Sequence, residues 1–211
     1  MATILYLLRH GATEANLVEP YRLQGRGSDP DLAPLGVRQA ELTRDYLAAR
    51  PVHHFYASPL RRAVQTAAII AAPHGRPVAT VPELTECDVG RWEGLTWEAV
   101  RTQDSAAYQA FQRDPAVHGY PGGETLAAVA ARCGPAFERL LAAHAGETLL
   151  VVSHQQVLRV YLAGLLGLPP AQARRVRLDN CGISVVVAEG DTPRVETLNA
   201  TAHLRDASAA G

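Results

Sequence analysis

The sequence contains no lysine, and all 20 of its basic residues are arginine. Without lysine, the chain can form neither a Schiff base with a carbonyl substrate nor the lysine–phosphate contact of a P-loop. A genome-wide compositional bias accounts for the arginines that occupy surface positions. The absence of lysine nevertheless excludes several kinds of cofactor and nucleotide chemistry.

The sequence is also poor in cysteine, net charge and long apolar runs. Its three cysteines are far apart and form no Cys-x-x-Cys pair, which argues against a disulfide framework or a thiolate zinc site. A net charge of -1 gives no reason to expect nucleic acid or a membrane surface as a partner. No stretch approaches 18 apolar residues, and the first residues lack a basic leader. We therefore expect a cytoplasmic protein without metal or other cofactor.

Two short apolar runs each end at a histidine. The first covers residues 3–8 and leads into Arg9-His10-Gly11, and the second covers residues 149–152 and leads into Ser153-His154. Such runs are typical of buried central strands. Ligand sites of open α/β sheets lie at the carboxyl ends of the strands, so both histidines are candidates for one site.

The remaining pattern alternates helices and strands along 211 residues. Helices are predicted over residues 35–49, 59–72, 124–144 and 157–166, with Ser58 as an N-cap, and late strands over 183–188 and 194–198, joined across residues 189–191. This order predicts a three-layer α/β/α sandwich with a mainly parallel central sheet. We expect one domain over residues 1–211, with a small helical cap over about 91–125 and a loose tail after about 204.

Several side chains near these strand ends suit phosphate chemistry. Arg9 offers a planar fork to phosphate oxygens, the glycine after His10 lets backbone N–H groups approach an anion, and Asn16 adds a neutral donor. Arg61 and Arg62 lie in the first turn of a predicted helix, about 100° apart around its axis. Only one of the two would face the crevice, and periodicity does not decide which.

Glu86 is a candidate acid or base, with Glu83, Asp88 and Glu93 as nearby rivals. A solvated carboxylate is the default for each of them, and a structural role is the alternative for His10 and for His154. A metal site built on the two histidines is a chemical rival, although no carboxylate–histidine spacing completes it.

Five motifs and their order resemble the histidine phosphatase superfamily, in the branch that includes the phosphoglycerate mutases. They are Arg9-His10-Gly11, the segment Ser58 to Ala67, Glu86 with Gly90-Arg91-Trp92-Glu93-Gly94, Gly122-Gly123-Glu124-Thr125, and Ser153-His154. The closing segment 198–204 is also similar to the end of those domains. The resemblance spans essentially the whole chain.

The resemblance implies a role for each matching residue. His10 is the nucleophile that becomes a phosphohistidine, Glu86 donates and accepts protons, and Arg9, Arg62 and His154 clamp the phosphate. It thereby selects Arg62 over Arg61. Further phosphate or substrate contacts are implied for Asn16, Gln24 and Gln155. Gln155 is a departure, because most relatives have glycine there; the fructose-2,6-bisphosphatase branch has a similar glutamine.

The implied activity is hydrolysis of a small phosphorylated metabolite by a metal-independent phosphomonoesterase. Glu86 is expected to have a raised pKa, and His154 is expected to act as an imidazolium that the phosphate dianion beside it supports. Candidates for the cap's pocket lining are Trp92, Trp97, Tyr108, Phe111 and Tyr120, with core packing as the alternative for each. One alternative is a cofactor-dependent phosphoglycerate mutase, although the 68 positions between Glu86 and His154 resemble the shorter phosphatase arrangement. The other is a non-catalytic phosphate-binding domain. A homodimer is a further expectation from the resemblance.

Overall fold

A computed structural model describes residues 1–190 and 192–208. Six strands form one sheet in the order β3-β2-β4-β1-β5-β6. They are β1 (Thr3–Arg9), β2 (His54–Ala57), β3 (Val78–Thr80), β4 (Thr148–Ser153), β5 (Ile183–Glu189) and β6 (Thr192–Ala200). The pairs β3–β2, β2–β4 and β4–β1 are parallel, whereas β5 runs antiparallel to both β1 and β6. The predicted mainly parallel sheet is confirmed.

Eight α-helices accompany this sheet in the described part of the chain. They are α1 (Glu14–Leu17), α2 (Pro34–Leu47), α3 (Arg61–Ala71), α4 (Trp97–Gln103), α5 (Ser105–Arg113), α6 (Pro115–His118), α7 (Leu126–Ala143) and α8 (Gln155–Leu165). None of the described helices combines the length and apolar character needed to cross a bilayer.

Alternate residues of the central strands point into two separate cores. Leu5 and Leu7 pack on one face together with α7 and α8, whereas Tyr6 and Leu8 pack on the other face against α3. Since both faces of β1 and β4 are covered, their sequences are continuously apolar rather than alternating. The two cores and the sheet between them make the predicted three-layer sandwich.

Some predicted boundaries were wrong. The helix expected from residue 59 begins at Arg61 with Leu60 as its N-cap, and Ser58 is instead the residue that follows β2. The tail expected to be loose after Leu204 includes a 3-10 helix over Ala202–Ser208, and His203 Nε2 lies 3.1 Å from Thr43 Oγ1 of α2. Within the predicted connection between the late strands, Asp191 lies outside the described residues, as do residues 209–211 of the tail.

Candidate active site

His10 follows the carboxyl end of β1 and is only 3% exposed. Its backbone N–H donates to Ser153 O over 3.0 Å, which extends the pairing of β1 with β4. Its Nδ1 lies 2.7 Å from Gly11 O. A carbonyl oxygen can only accept, so Nδ1 carries the proton and Nε2 keeps a free lone pair. Burial, followed by the charges of Arg9 and Arg62, holds the pKa of His10 well below its usual value. The lowered pKa favours a neutral ring whose Nε2 lone pair is available.

Gly11 is required for packing rather than for binding an anion through its own N–H. A Cβ at Gly11 would lie 2.5 Å from the carbonyl oxygen of Gly36, at the start of α2. The Gly11 N–H donates to Thr66 Oγ1 of α3 over 3.0 Å. The N–H of Gly11 itself is therefore engaged by Thr66, and the approach of backbone N–H groups to an oxyanion stays a prediction.

His154 follows the carboxyl end of the neighbouring strand β4 and is fully buried. Its ring centroid lies 5.1 Å from that of His10, and the two planes are inclined by 58°. Nε2 lies 2.7 Å from Ser58 Oγ, whereas Nδ1 is buried without a hydrogen-bond partner among the described residues. Burial, then the charges of Arg62 and His10, holds the pKa of His154 well below its usual value. The lowered pKa favours a neutral imidazole in the ligand-free protein, and the imidazolium expected beside a bound phosphate stays a prediction.

Arg62 and Arg9 bring two buried guanidinium groups to the histidines. Arg62 is 0% exposed and donates to Ser28 O and Gly25 O over 2.9 and 3.0 Å. Arg9 donates to Leu178 O over 3.2 Å. The Nε of each arginine is buried without a partner in the described structure. Two cations with unsatisfied donors in a dry environment attract an anion strongly.

Arg61 takes the opposite position. Its side chain is 60% exposed and forms an ion pair with Asp31 at 2.7 Å. The structure thus resolves the ambiguity that periodicity left open, because Arg62 lies on the buried face of α3 together with Ala63 and Thr66.

Glu86 is 5% exposed and precedes the short 3-10 helix over Gly90–Trp92. Its Oε1 accepts the Cys87 N–H over 2.8 Å, and its Oε2 accepts the Gln156 N–H over 3.3 Å. Burial raises the pKa of Glu86, although the two backbone donors and the charges of Arg62 and Arg9 act in the opposite direction. A raised pKa is the property that a carboxyl group needs as a proton donor near neutral pH.

The three rival carboxylates have other partners. Glu93 accepts from Gly25 N, Gly27 N and Ser28 Oγ, and thus holds the loop that carries two of the carbonyl acceptors of Arg62. Asp88 pairs with Arg26 at 2.8 Å, and Glu83 pairs with Arg139 at the surface. Their hydrogen bonds make them structural residues.

The three predicted auxiliary residues lie in different surroundings. Asn16 Oδ1 accepts the Thr13 N–H over 3.0 Å, and Gln24 Oε1 accepts from Thr13 Oγ1 over 3.0 Å. Both amide oxygens are thus engaged, while neither NH₂ group has a partner within the described residues. Gln155 is the first residue of α8 and lines the cavity in front of Glu86.

A cavity of about 400 Å³ opens in front of Glu86. The predicted cap segment supplies four of the expected aromatic side chains to its wall, while Trp92 is fully buried and packs edge-on against three of them. Trp92 is therefore a core residue and not a lining residue. The wall residues from the cap and elsewhere include Trp97, Tyr108, Phe111, Tyr120, Tyr21, Gln24, Arg159 and Arg174.

Sequence reasoning missed Ser58, Asn180, Arg159 and Arg174. Asn180 Nδ2 donates to His10 O over 2.8 Å, although the two residues are far apart in the chain. No local sequence pattern predicts that contact. The position of Ser58 directly after a strand, like His10 and His154, was a usable signal, because residues at the carboxyl ends of adjacent parallel strands meet. Ser58 was instead assigned to the helix that follows.

The metal-centre hypothesis lacks ligands at this place. Among residues 1–190 and 192–208, His10 and His154 belong to no group of three metal-ligating side chains. The described site is an assembly of two neutral imidazoles, two guanidinium groups and a carboxyl group with a raised pKa. Such a set of groups at the carboxyl edge of a parallel sheet is typical of enzymes that bind and transfer phosphoryl groups.

Comparisons with known proteins agree with this class. The family model of the histidine phosphatase superfamily (branch 1) matches residues 5–201, and the chain belongs to that superfamily. A relative from Proteus mirabilis, named "Probable phosphoglycerate mutase GpmB", is 35% identical over 96% of this chain and 95% of its own length.

Solved structures extend the comparison. A phosphoserine phosphatase from Entamoeba histolytica in complex with phosphoserine is similar, with a TM-score of 0.85, 28% identity and coverage of 96% of this chain and 99% of that one. An alpha-ribazole phosphatase from Shigella flexneri gives a TM-score of 0.84 at 28% identity, covering 93% and 96% of the two chains. Membership in the superfamily and these neighbours support a phosphoric monoester hydrolase.

Proposed function

We propose that this protein hydrolyses small phosphorylated metabolites through a phosphohistidine on His10, without a metal ion, with Glu86 as the proton donor and acceptor. The observation that carries the proposal is the orientation of the His10 ring. Its Nδ1–H is held by Gly11 O at 2.7 Å, which leaves the Nε2 lone pair free, and the charges of the buried Arg9 and Arg62 act on this ring. A neutral, fixed imidazole is the form in which histidine attacks phosphorus.

In the first step Nε2 of His10 attacks the phosphorus atom, and the bond from phosphorus to the ester oxygen breaks. The Glu86 carboxyl gives its proton to the departing alkoxide, so that an alcohol leaves. Arg9 and Arg62 stabilise the charge on the equatorial oxygens. Their unpartnered Nε atoms support this role, because an incoming phosphate supplies the missing acceptors.

In the second step the Glu86 carboxylate takes a proton from water, which attacks the phosphohistidine. The phosphorus–nitrogen bond breaks and inorganic phosphate is released. His10 is again neutral and Glu86 is again protonated, so the cycle closes without a redox step or co-reactant. Burial of Glu86 supports its use in both directions, since a carboxyl group whose pKa is raised toward neutrality exchanges protons readily.

His154 acts in this proposal as a neutral donor that Ser58 positions. Ser58 Oγ accepts the Leu60 N–H over 3.3 Å, and the only acceptor for its own proton among the described residues is His154 Nε2. His154 therefore carries its proton on Nδ1, the buried atom without a partner. This Nδ1–H is available to a phosphate oxygen, and a bound dianion would also favour the imidazolium form that the sequence suggested.

The size of the cavity beside Glu86 supports a small ester as the substrate. Its aromatic wall suits an apolar or sugar-like moiety, and Arg159 and Arg174 suit a second anionic group. Structural neighbours named for phosphoserine and for a complex with 3-phosphoglyceric acid support substrates of this kind. A screen of phosphorylated metabolites that measures released phosphate would identify the preferred ester.

Hydrolysis is tested with the wild type and the variant His10→Ala. We expect the wild type to release phosphate from an aryl phosphate in the presence of EDTA, with inhibition by vanadate. Rapid quenching with ³²P-labelled substrate should trap an acid-labile phosphoenzyme, and His10→Ala should show neither turnover nor label. Complete loss of activity in EDTA, restored by a divalent metal, would refute the proposal.

The name of the Proteus relative favours a second candidate, a phosphoglycerate mutase that returns the phosphoryl group to another hydroxyl. Both activities share the phosphohistidine and differ in its acceptor. Incubation with 3-phosphoglycerate and 2,3-bisphosphoglycerate separates them, because a mutase forms 2-phosphoglycerate faster than it releases phosphate. We expect phosphate release to dominate.

A further inference from the structure

A second pair of histidines lies at the amino-terminal ends of the strands, whereas His10 and His154 lie at their carboxyl ends. His54 is the first residue of β2, His144 is the C-cap of α7, and Glu147 immediately precedes β4. The seven positions from Glu147 to His154 run along β4, which at about 3.3 Å per residue puts roughly 20 Å between this cluster and the active-site histidines. The cluster is thus separate from the proposed catalytic site.

Three ligand atoms of different side chains converge here. Glu147 Oε2 lies 2.9 Å from His54 Nε2 and 3.0 Å from His144 Nδ1, and all three atoms are within 4.8 Å of one another. In a tetrahedral zinc site with bonds of about 2.0–2.1 Å, neighbouring ligand atoms are about 3.3 Å apart. A slight expansion of the cluster would therefore admit an ion. His54 is 36% exposed and Glu147 is 43% exposed, so both side chains have room to move.

A neighbouring tyrosine orients one of the rings. Tyr56 Oη lies 2.7 Å from His144 Nε2, the ring atom on the far side from Glu147. Histidine ligands of metals characteristically bond their second ring nitrogen to an oxygen in this way, which fixes the ring's orientation. When Nδ1 binds a metal, the His144 Nε2–H can donate to Tyr56 Oη.

We propose that His54, His144 and Glu147 form a binding site for a divalent transition metal of the zinc type, with water completing the coordination. Two imidazoles and one carboxylate are donors that Zn²⁺ prefers over Mg²⁺ or Ca²⁺. The ion would join the start of β2, the end of α7 and the start of β4. Its role is therefore to stabilise the fold, since the reacting groups lie at the other end of these strands.

The test is equilibrium dialysis of the metal-free protein against Zn²⁺, with bound metal measured by atomic emission. We expect one ion per chain with a Kd below about 100 μM. His54→Gln and Glu147→Gln should each weaken binding by at least about tenfold, and Tyr56→Phe by a smaller factor. Circular dichroism checks that each variant is folded, and zinc should raise the Tm of the wild type but not that of His54→Gln or Glu147→Gln.

Two control variants distinguish the cluster from other histidines. His118→Gln removes an imidazole of α6 that takes no part in the cluster, and His10→Ala removes a potential ligand in the active site. Both should bind zinc like the wild type. Wild-type binding weaker than about 100 μM, or undiminished binding in both cluster variants, would overturn the proposal. Neither result depends on phosphatase activity, so the function of the active site is tested separately.

Discussion

One histidine pair lies at the carboxyl ends of the central strands, and the other lies at the amino-terminal ends. Each pair is accompanied by a glutamate. The rings of His10 and His154 are 5.1 Å apart and buried, whereas those of His54 and His144 are 3.9 Å apart and partly exposed. Burial raises the pKa of Glu86, while the hydrogen bond from His144 lowers the pKa of Glu147. The same residue types thus acquire opposite properties from their surroundings.

The two sites differ because different neighbouring side chains surround them. The carboxyl ends of the strands add two buried guanidinium groups, and the Nε atoms of Arg9 and Arg62 and Nδ1 of His154 are buried without a partner among the described residues. At the amino-terminal ends of the strands, both ring nitrogens of His144 and Nε2 of His54 already have hydrogen-bond partners in Glu147 or Tyr56. Buried donors without a hydrogen-bond partner indicate a binding site for an anion. Partly exposed groups that already have partners indicate a structural contact or a binding site for a cation.

The largest effect is expected when the two glutamates are compared as acids. Glu86→Gln should lower kcat for an alkyl phosphate by about 10²–10⁴-fold, because the leaving alkoxide then lacks a proton donor. The loss should be much smaller for p-nitrophenyl phosphate, whose leaving group departs as a stable anion. Glu147→Gln should leave both rates unchanged. Equal losses on the two substrates would contradict the role of Glu86 as an acid.

The pH dependence of kcat/KM should report the protonation state of Glu86. The first step requires protonated Glu86, so kcat/KM for an alkyl phosphate should fall as the pH rises through the raised pKa of this carboxyl. The lowered pKa of His10 keeps its ring neutral over the same range, so it should not restrict activity near neutrality. The alkaline decline should disappear in Glu86→Gln.

Neighbouring arginines provide the next comparison. Arg62→Lys keeps one charge but loses the planar fork, and we expect kcat/KM to fall by about 10²–10³-fold, as when a donor to a developing anion is removed. Arg61→Lys, a matched change one residue earlier, should alter kcat/KM by less than about twofold, because its side chain is exposed and pairs with Asp31. Steady-state kinetics on one substrate measures both variants, and similar losses would place the phosphate elsewhere.

A smaller effect is expected at Ser58. Ser58→Ala should lower kcat/KM by about tenfold, because His154 loses the hydrogen bond that selects its tautomer. The ¹⁵N chemical shifts of His154, assigned with His154→Asn, should report a proton on Nδ1 in the wild type and a mixture of tautomers in the variant. Ser58→Thr keeps the hydroxyl and should retain the wild-type shifts. A wild-type proton on Nε2 would show that Ser58 accepts rather than donates.

Local sequence signals predicted the parts of the site that local structure determines. The apolar runs of β1 and β4 end at His10 and His154 because central strands are buried on both faces and stop at the sheet's edge. Parallel strands then bring the two residues together. The burial of Arg62 could not be read from periodicity, since both arginines flank the apolar stripe of α3, and the family resemblance was needed to select it.

Contacts between distant segments were out of reach of the sequence. The hydrogen bonds of Ser58 to His154 and of Asn180 to His10 span 96 and 170 positions. The lowered pKa of His154 depends on burial and on the charges of arginines from three elements, β1, α3 and α7. Protonation is a property of the assembled site, so the residue types alone do not predict the protonation state of His154 in the ligand-free protein.

The smallest expected effect is on stability, because ionisation of Glu86 and ionisation of Glu147 change the stability of the fold in opposite directions. The folded-state pKa of Glu86 is raised, so ionisation of this carboxyl is less favourable in the folded than in the unfolded chain. Stability from this group is present below the unfolded pKa and is lost as the pH rises through the folded value, with a slope of at most about 1.4 kcal/mol per pH unit. Glu86→Gln loses a backbone acceptor at every pH but should remove this slope, so its stability relative to the wild type should improve toward higher pH. Glu147 has a lowered pKa, so the stability of Glu147→Gln relative to the wild type should decrease as the pH rises from the lowered folded pKa to the unfolded pKa and should stay constant above it. Urea unfolding of the metal-free proteins across the pH range measures both trends. Parallel curves for Glu86→Gln and the wild type would show that the active-site carboxyl ionises as freely in the folded protein as in the unfolded chain.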